Sequence, residues 1–259
     1  MFEGKKIVVV MPAYNAEKTL ARTVADIPKD IVDEIILVDD HSQDGTVREA
    51  RRLGLYVFQH DKNRGYGGNQ KTCYREALKL GADIVVMVHP DYQYNPNRIP
   101  QLIAALTGGD GYDAAFGSRM LGKLFREGGM PVWKFYANIV LTAAANMVFL
   151  NFLTEYHSGF RAYTRRYLET VCFERNSDDF VFDTEIIAQG MYHGLRFTEI
   201  PIETRYFPEA SQINFARSAM YGLGILLTLV KYQLHRNGVV HFSFLEGRST
   251  SHSNAGTLR

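Results

Sequence analysis

Hydrophobic runs and polar stretches alternate regularly over the first half of the chain. Residues 7–11 read IVVVM, a β-branched run that stops at Pro12 and suits a strand buried on both faces. Residues 34–38 (EIILV), 55–59, 84–88 (IVVMV) and 114–117 repeat that signature. Between them, residues 16–27, 46–53, 69–80 and 97–106 carry helical spacing, with Leu20 and Val24 on one face of the first. This alternation predicts a doubly wound, Rossmann-like α/β fold: a mostly parallel twisted sheet with helices on both faces. Ligands of such sheets gather at the carboxyl ends of the strands. Polar clusters at 12–15, 39–42, 89–91 and 117–119 all fall at those ends.

Beyond residue 120 the alternation weakens. A glycine-bearing loop (122–129) leads into an apolar helix over 135–153, and a late strand is predicted over 197–205. A second apolar helix follows at 219–234. Asn138, Thr142 and Asn146 recur every fourth residue, placing them along one stripe of the first apolar helix. These C-terminal helices read either as amphipathic, interfacial elements or as ordinary helices packed on the core. Residues 247–259 are polar and aperiodic, the pattern of a disordered tail.

Composition narrows the classes. The chain has 259 residues, 46% hydrophobic and 22% charged, enough for one large domain. A net charge of +1 and no basic stripe with interleaved aromatics argue against a nucleic-acid partner. Cys73 and Cys172 have no CxxC partner and read as reduced thiols. The N-terminus lacks the form of a signal peptide.

The first strand is followed by Pro12-Ala13-Tyr14-Asn15, not by GxGxxG, which argues against a dehydrogenase-type dinucleotide site. Gly65-Tyr66-Gly67-Gly68 is either a tight turn that lets the next helix pack closely or a phosphate contact. Asp39-Asp40 can accept hydrogen bonds from a ribose or a base imino group. Capping accounts for Asp44 and Thr46 but not for two adjacent strand-end carboxylates. Asp91 and Gln93 offer oxygen donors suited to Mg²⁺ or Mn²⁺. His89 is either a further ligand, better suited to Mn²⁺, or a strand-end histidine held by hydrogen bonds.

The segments VVVMPAYNAEKTL, EIILVDDHSQDGT, NRGYGGNQK, VMVHPDYQYNP, FGSRM, SGFRAY and EIPIETRY stand in one order from residue 7 to about 206. Together they resemble the family 2 glycosyltransferases of GT-A fold, and within them the polyprenyl-phosphate sugar transferases. The resemblance implies a glycosyltransferase domain over residues 1–246, with a nucleotide-binding part at about 1–120 and an acceptor part at about 121–246. It implies that Pro12, Tyr14, Glu17, Asp39, Asp40, Lys71 and Asp91 face the donor nucleotide. Asp91 and Gln93, with His89 as a third candidate, would hold a divalent cation. Arg119, Lys134 and Asn138 would meet an acceptor phosphate, and Arg205 the donor diphosphate, making Asp91, Arg119 and Arg205 the catalytic set. Ser158 and Arg161 of SGFR are read as structural.

Three departures stand out. His89 replaces the first acidic residue of the metal motif. Glu155 stands where the family often has an aspartate. Residues 209–212, EASQ, replace a segment that often carries a lysine.

The expected reaction is displacement at the anomeric carbon of a UDP- or GDP-linked sugar. A lipid phosphate is already an anionic nucleophile and needs positioning, whereas a hydroxyl acceptor needs a general base. The only base candidates are Asp178-Asp179 and the acidic residues of Asp183-Thr184-Glu185, which read better as caps and first-turn charges of a helix starting near Thr184. The expectation is a polyprenyl phosphate acceptor, with the enzyme peripheral on the cytoplasmic membrane face and oligomeric state open. The rivals are transfer to a saccharide or small-molecule hydroxyl, and a non-catalytic binding subunit.

Overall fold

The structure, a computed structural model, describes residues 1–122, 130–205 and 215–247. Its strands are β1 (Ile7–Ala13), β2 (Glu34–Asp39), β3 (Tyr56–Gln59), β4 (Ile84–Met87), β5 (Ala114–Ser118), β6 (Arg161–Thr164) and β7 (Phe197–Pro201). Its α-helices are α1 (Glu17–Ala25), α2 (Thr46–Arg52), α3 (Gly65–Lys79), α4 (Ile99–Thr107), α5 (Val132–Phe149), α6 (Arg165–Thr170), α7 (Phe182–Tyr192) and α8 (Phe215–Arg236). The strands form one seven-stranded sheet in the order β3-β2-β1-β4-β6-β5-β7.

Strands β1 to β4 pair in parallel, as does β5 with β7. Strand β6 runs antiparallel to both β4 and β5. The expected mostly parallel sheet is therefore present, with one reversed strand that periodicity did not predict. Residues 161–164 are too short a run to signal a strand, and Arg161 does not look like a core residue. Alternate residues of β1 feed opposite cores. Val8 and Val10 pack with α3, α5, α7 and α8, while Ile7, Val9 and Met11 pack with α1, α2 and α4.

The glycine-rich segment is not a loop but the first turn of α3. A Cβ on Gly67 would sit 2.3 Å from the Ser177 carbonyl, and one on Gly68 2.9 Å from the Arg64 side chain. Gly65 adopts φ +82, which glycine alone takes at no steric cost. The Gly67 N–H donates to the Asp178 carbonyl at 2.8 Å. The glycines thus seat α3 against the chain before α7, and the tight-packing reading holds over the phosphate contact.

Helices α5 and α8 pack on each other. On α5 the polar stripe faces inward: Asn138 and Thr142 are buried, while Tyr136, Val140 and Met147 are 63%, 65% and 71% exposed. On α8, Ile225, Leu229 and Tyr232 face the core, and Met220, Leu223 and Leu227 are exposed. Among the described helices, α5 alone is long and apolar enough to cross a membrane. Most of the loop expected at 122–129, the segment 209–212 and the tail beyond 247 lie outside the described residues.

Candidate active site

The parallel strands β1, β2, β4 and β5 end at one edge, and reversed β6 begins there. Residues 12–17, 39–46, 89–93, 118–119 and 155–161 are thereby brought together. The first two segments are laced side by side. The Asn15 N–H donates to Ser42 Oγ (2.8 Å), the Gln43 N–H to Asn15 Oδ1 (2.9 Å) and the Gly45 N–H to Glu17 Oε2 (3.0 Å). Asn15 and His41 both take positive φ, 52° and 66°, so each turn reverses tightly at its strand end. Pro12 is buried in β1, and Tyr14 is 56% exposed beside it.

The two strand-end aspartates separate in role. Asp40 is buried; its carboxylate accepts from the N–H groups of Arg64 (2.7 Å) and Gly65 (3.0 Å) and meets His60 Nδ1 (2.8 Å). It holds the start of α3, so its carboxylate is already engaged by the protein. Asp39 is fully buried too, yet only Oδ2 is engaged, by the Ser42 N–H at 3.1 Å. Its Oδ1 has no hydrogen-bond partner, a costly state that a ligand donor would relieve. The Lys71 ammonium binds the Asn176 carbonyl and Asp178 Oδ1 (2.6 Å), so it anchors the segment before α7.

Past β4, His89 stacks on Tyr66 with ring centroids 5.6 Å apart, and its Nε2 lies 3.4 Å from the Tyr66 hydroxyl. Burial pushes its pKa down against the pull of Asp91 and Asp183. Tyr66 and a closely packed Gly159 flank that nitrogen, as in a strand-end histidine held by its neighbours. Asp91 accepts the Gln93 N–H on Oδ1 at 3.0 Å. Among the described residues no group of three or more His, Cys, Asp or Glu side chains is arranged to hold a metal. One carboxylate beside an amide still fits a Mg²⁺ or Mn²⁺ whose remaining ligands are diphosphate oxygens and water. Arg205 lies over the Tyr92 ring at 4.2 Å, and its Nη1 is buried with no hydrogen-bond partner.

At the end of β5, Arg119 meets Glu155, a carboxylate with no exposed surface. Glu155 accepts the Arg119 backbone N–H (2.7 Å) and Nε–H (2.8 Å), a further guanidinium contact, and Asn138 Nδ2–H (2.7 Å). Burial works to raise the Glu155 pKa, but Arg119 and these donors hold it below the usual range. Lys134 lies nearby, its pKa lowered first by burial and then by Arg119. Arg119, Lys134 and Asn138 therefore lie together, around a carboxylate that sequence reasoning noted only as a departure. Beside them a cavity of about 330 Å³ opens, lined in part by Met120, Phe135, Ile139 and Ala143.

The acidic residues offered as bases are engaged elsewhere. Asp183 is buried, receiving hydrogen bonds from Tyr66 Oη (3.0 Å) and Gln70 Nε2 (3.0 Å) and pairing with Arg161 Nη1 at 3.2 Å. Asp178 pairs with Lys71, and Asp179 Oδ1 accepts the Phe180 N–H. Arg161 also donates to the Ser158 and Tyr156 carbonyls, so SGFR is structural here. His157 was not anticipated: both its ring nitrogens are buried and lack hydrogen-bond partners. No sequence signal marked it beyond its place just before SGFR.

Comparison with known proteins fits this arrangement. A UDP-N-acetylglucosamine–dolichyl-phosphate N-acetylglucosaminyltransferase from Methanococcus voltae is 27% identical, covering 89% of this chain and 97% of its own. A dolichol-phosphate mannosyltransferase from Pyrococcus furiosus is 28% identical, covering 93% and 68%. Among solved structures, glucosyl-3-phosphoglycerate synthase from Mycobacterium tuberculosis, in complex with Mn²⁺, UDP-glucose and phosphoglyceric acid, superposes with a TM-score of 0.68 at 20% identity. That match covers 89% of this chain and 80% of the other. It shows the GT-A fold. The family model for glycosyl transferase family 2 matches residues 8–172, through β1, the Asp91 loop and the Arg119–Glu155 pair, and the chain belongs to that family.

Proposed function

We propose that this hexosyltransferase transfers a sugar from a UDP- or GDP-linked donor to a polyprenyl phosphate at the cytosolic membrane surface. The observation that carries the reading is the cluster of Arg119, Lys134 and Asn138 around buried Glu155, beside an apolar cavity. A cationic spot next to an apolar groove suits a phosphate on a hydrocarbon chain. The exposed apolar faces of α5 and α8 continue that surface, as an interfacial element requires. The dolichyl-phosphate transferases among its relatives support the same acceptor.

The chemistry follows from the groups present. Asp39 Oδ1 accepts a hydrogen bond from the nucleoside, and Tyr14 follows the neighbouring strand end, where Ala13 pairs with Asp39. Asp91 and Gln93 would hold a divalent cation, which when bound stabilises charge on the departing diphosphate. Arg205 Nη1 donates to the same diphosphate. Lys134 and Arg119 bring the acceptor phosphate oxygen toward the anomeric carbon. No general base is required of an already ionised phosphate, in keeping with the engaged state of Asp178, Asp179 and Asp183.

The test is incubation of the full chain with labelled UDP-glucose, UDP-N-acetylglucosamine or GDP-mannose and undecaprenyl or dolichyl phosphate in detergent. A labelled product that partitions into organic solvent is expected with one donor. Sugar transfer to a soluble saccharide with no lipid present, and no lipid-linked product with any donor, would overturn the acceptor assignment.

A further inference from the structure

Tyr92 joins segments that are far apart in sequence. It follows Asp91 directly and takes φ 59°, a left-handed conformation that an aromatic residue adopts only when its surroundings enforce it. Its hydroxyl donates to Asp26 Oδ2 at the end of α1, 2.8 Å away. The Arg22 guanidinium of α1 lies 4.7 Å from the ring centroid and that of Arg205 lies 4.2 Å away. The Arg205 N–H donates to the Gln93 carbonyl at 2.9 Å, and Thr204 bridges to Tyr94. Helix α1, the loop after β4 and the chain after β7 thus meet at one aromatic side chain.

The charges at this junction are unusual. Two guanidiniums share one ring, and one of them keeps a buried N–H with no acceptor. A ring quadrupole attracts each cation but cannot accept that hydrogen bond in full. An anion with several oxygens would satisfy Arg205 and offset the mutual repulsion. The Asp26 hydrogen bond fixes the ring, and the ring fixes where Arg205 points.

We propose that Tyr92 is a positioning residue that aims Arg205 at the diphosphate of the donor. This rests on the nucleotide-sugar reading above, and its ligand class is a nucleoside diphosphate as opposed to a monophosphate.

Isothermal titration of the full chain with UDP, UMP, GDP and GMP in the presence of Mn²⁺ tests it. Tyr92→Leu is expected to weaken the preferred diphosphate about tenfold while changing the matching monophosphate less than about twofold. Tyr92→Phe keeps the ring but loses its hydrogen bond to Asp26, and is expected to weaken the diphosphate about threefold, as Asp26→Ala does. In an Arg205→Met background, Tyr92→Leu has no further effect. Equal losses for diphosphate and monophosphate, or a full additional loss in the Arg205→Met background, would overturn the assignment. Should Tyr92→Leu fail to fold, Asp26→Ala releases the ring without touching the ligand. It is expected to lower the diphosphate preference about threefold, and an unchanged preference would count against the proposal. A wild-type chain that binds none of the four nucleotides refutes the nucleotide-sugar reading itself, and the Tyr92 inference with it.

Discussion

Replacing Asp183 by asparagine separates two accounts of one carboxylate. Either Asp183 is a general base for a hydroxyl acceptor, or it is the counter-charge of Arg161. Arg161 is 2% exposed, and its other acceptors are neutral carbonyls of Ser158 (2.6 Å) and Tyr156 (3.0 Å). Removing one member of a buried ion pair costs about 3–5 kcal/mol. Asparagine keeps an oxygen to accept from Gln70 Nε2, and its amide N–H can donate to the Tyr66 hydroxyl, so the lower end, about 3 kcal/mol, is expected. For a chain of this size that lowers the melting temperature by roughly 6–12 °C. Circular dichroism melts and urea titrations read the stability, and turnover measured well below the melting point reads the chemistry. The structural account predicts a clear loss of stability with turnover per folded molecule down by less than about tenfold, against the 10²–10⁴-fold, in order of magnitude, expected for a lost base. A fall in turnover of about a hundredfold or more with an unchanged melt would refute it.

The Arg119–Glu155 pair gives a complementary result: Glu155→Ala is expected to cost about 3–5 kcal/mol in urea unfolding, and Arg119→Met with Glu155→Leu to recover much of it while sugar transfer stays abolished. His157, whose pKa burial pushes down to about 4, binds its proton more readily in the unfolded chain. Its contribution is therefore present above pH about 6.5 and lost as pH falls toward 4, by up to about 3 kcal/mol. A His157→Gln variant should flatten the stability–pH curve across that window, and a curve of unchanged slope would contradict this. Leu223→Glu on the outer face of α8 should release the protein from phospholipid vesicles in flotation assays while leaving nucleotide binding intact. Asp91→Asn should remove the Mn²⁺ dependence of UDP or GDP binding measured by calorimetry.

Much of the donor half was legible because its signals are local. The runs at 7–11, 34–38 and 84–88 announce buried parallel strands, and strand ends deliver ligands in this architecture, so the site edge followed. Which strand-end carboxylate keeps an unmet oxygen was not legible, since Asp39 and Asp40 differ only in the partners folding gives them. Asp40 lies under the first turn of α3, whereas Asp39 Oδ1 has none. The same reason hid the ion pair of Lys71, whose partner Asp178 is distant in sequence. On α5 the four-residue period of Asn138 and Thr142 was readable. That this polar stripe turns inward, leaving the apolar side outside, depends on Glu155 being buried beneath it.

Reversed β6 has a consequence for how such a protein can change. The chain leaves the sheet at Ser118 and returns at Arg161, and these departure and return points sit on hydrogen-bonded neighbours: the Gly117 N–H donates to the Phe160 carbonyl at 2.8 Å. Everything between, α5 included, is an excursion whose two ends are clamped together. The entropy of closing such an excursion grows only slowly with its length. Its contents can therefore be lengthened, shortened or exchanged without moving the strand ends that carry Asp39 and Asp91. The segment between Ser118 and Arg161 behaves as a replaceable cassette, free to diverge while the sheet edge stays in place.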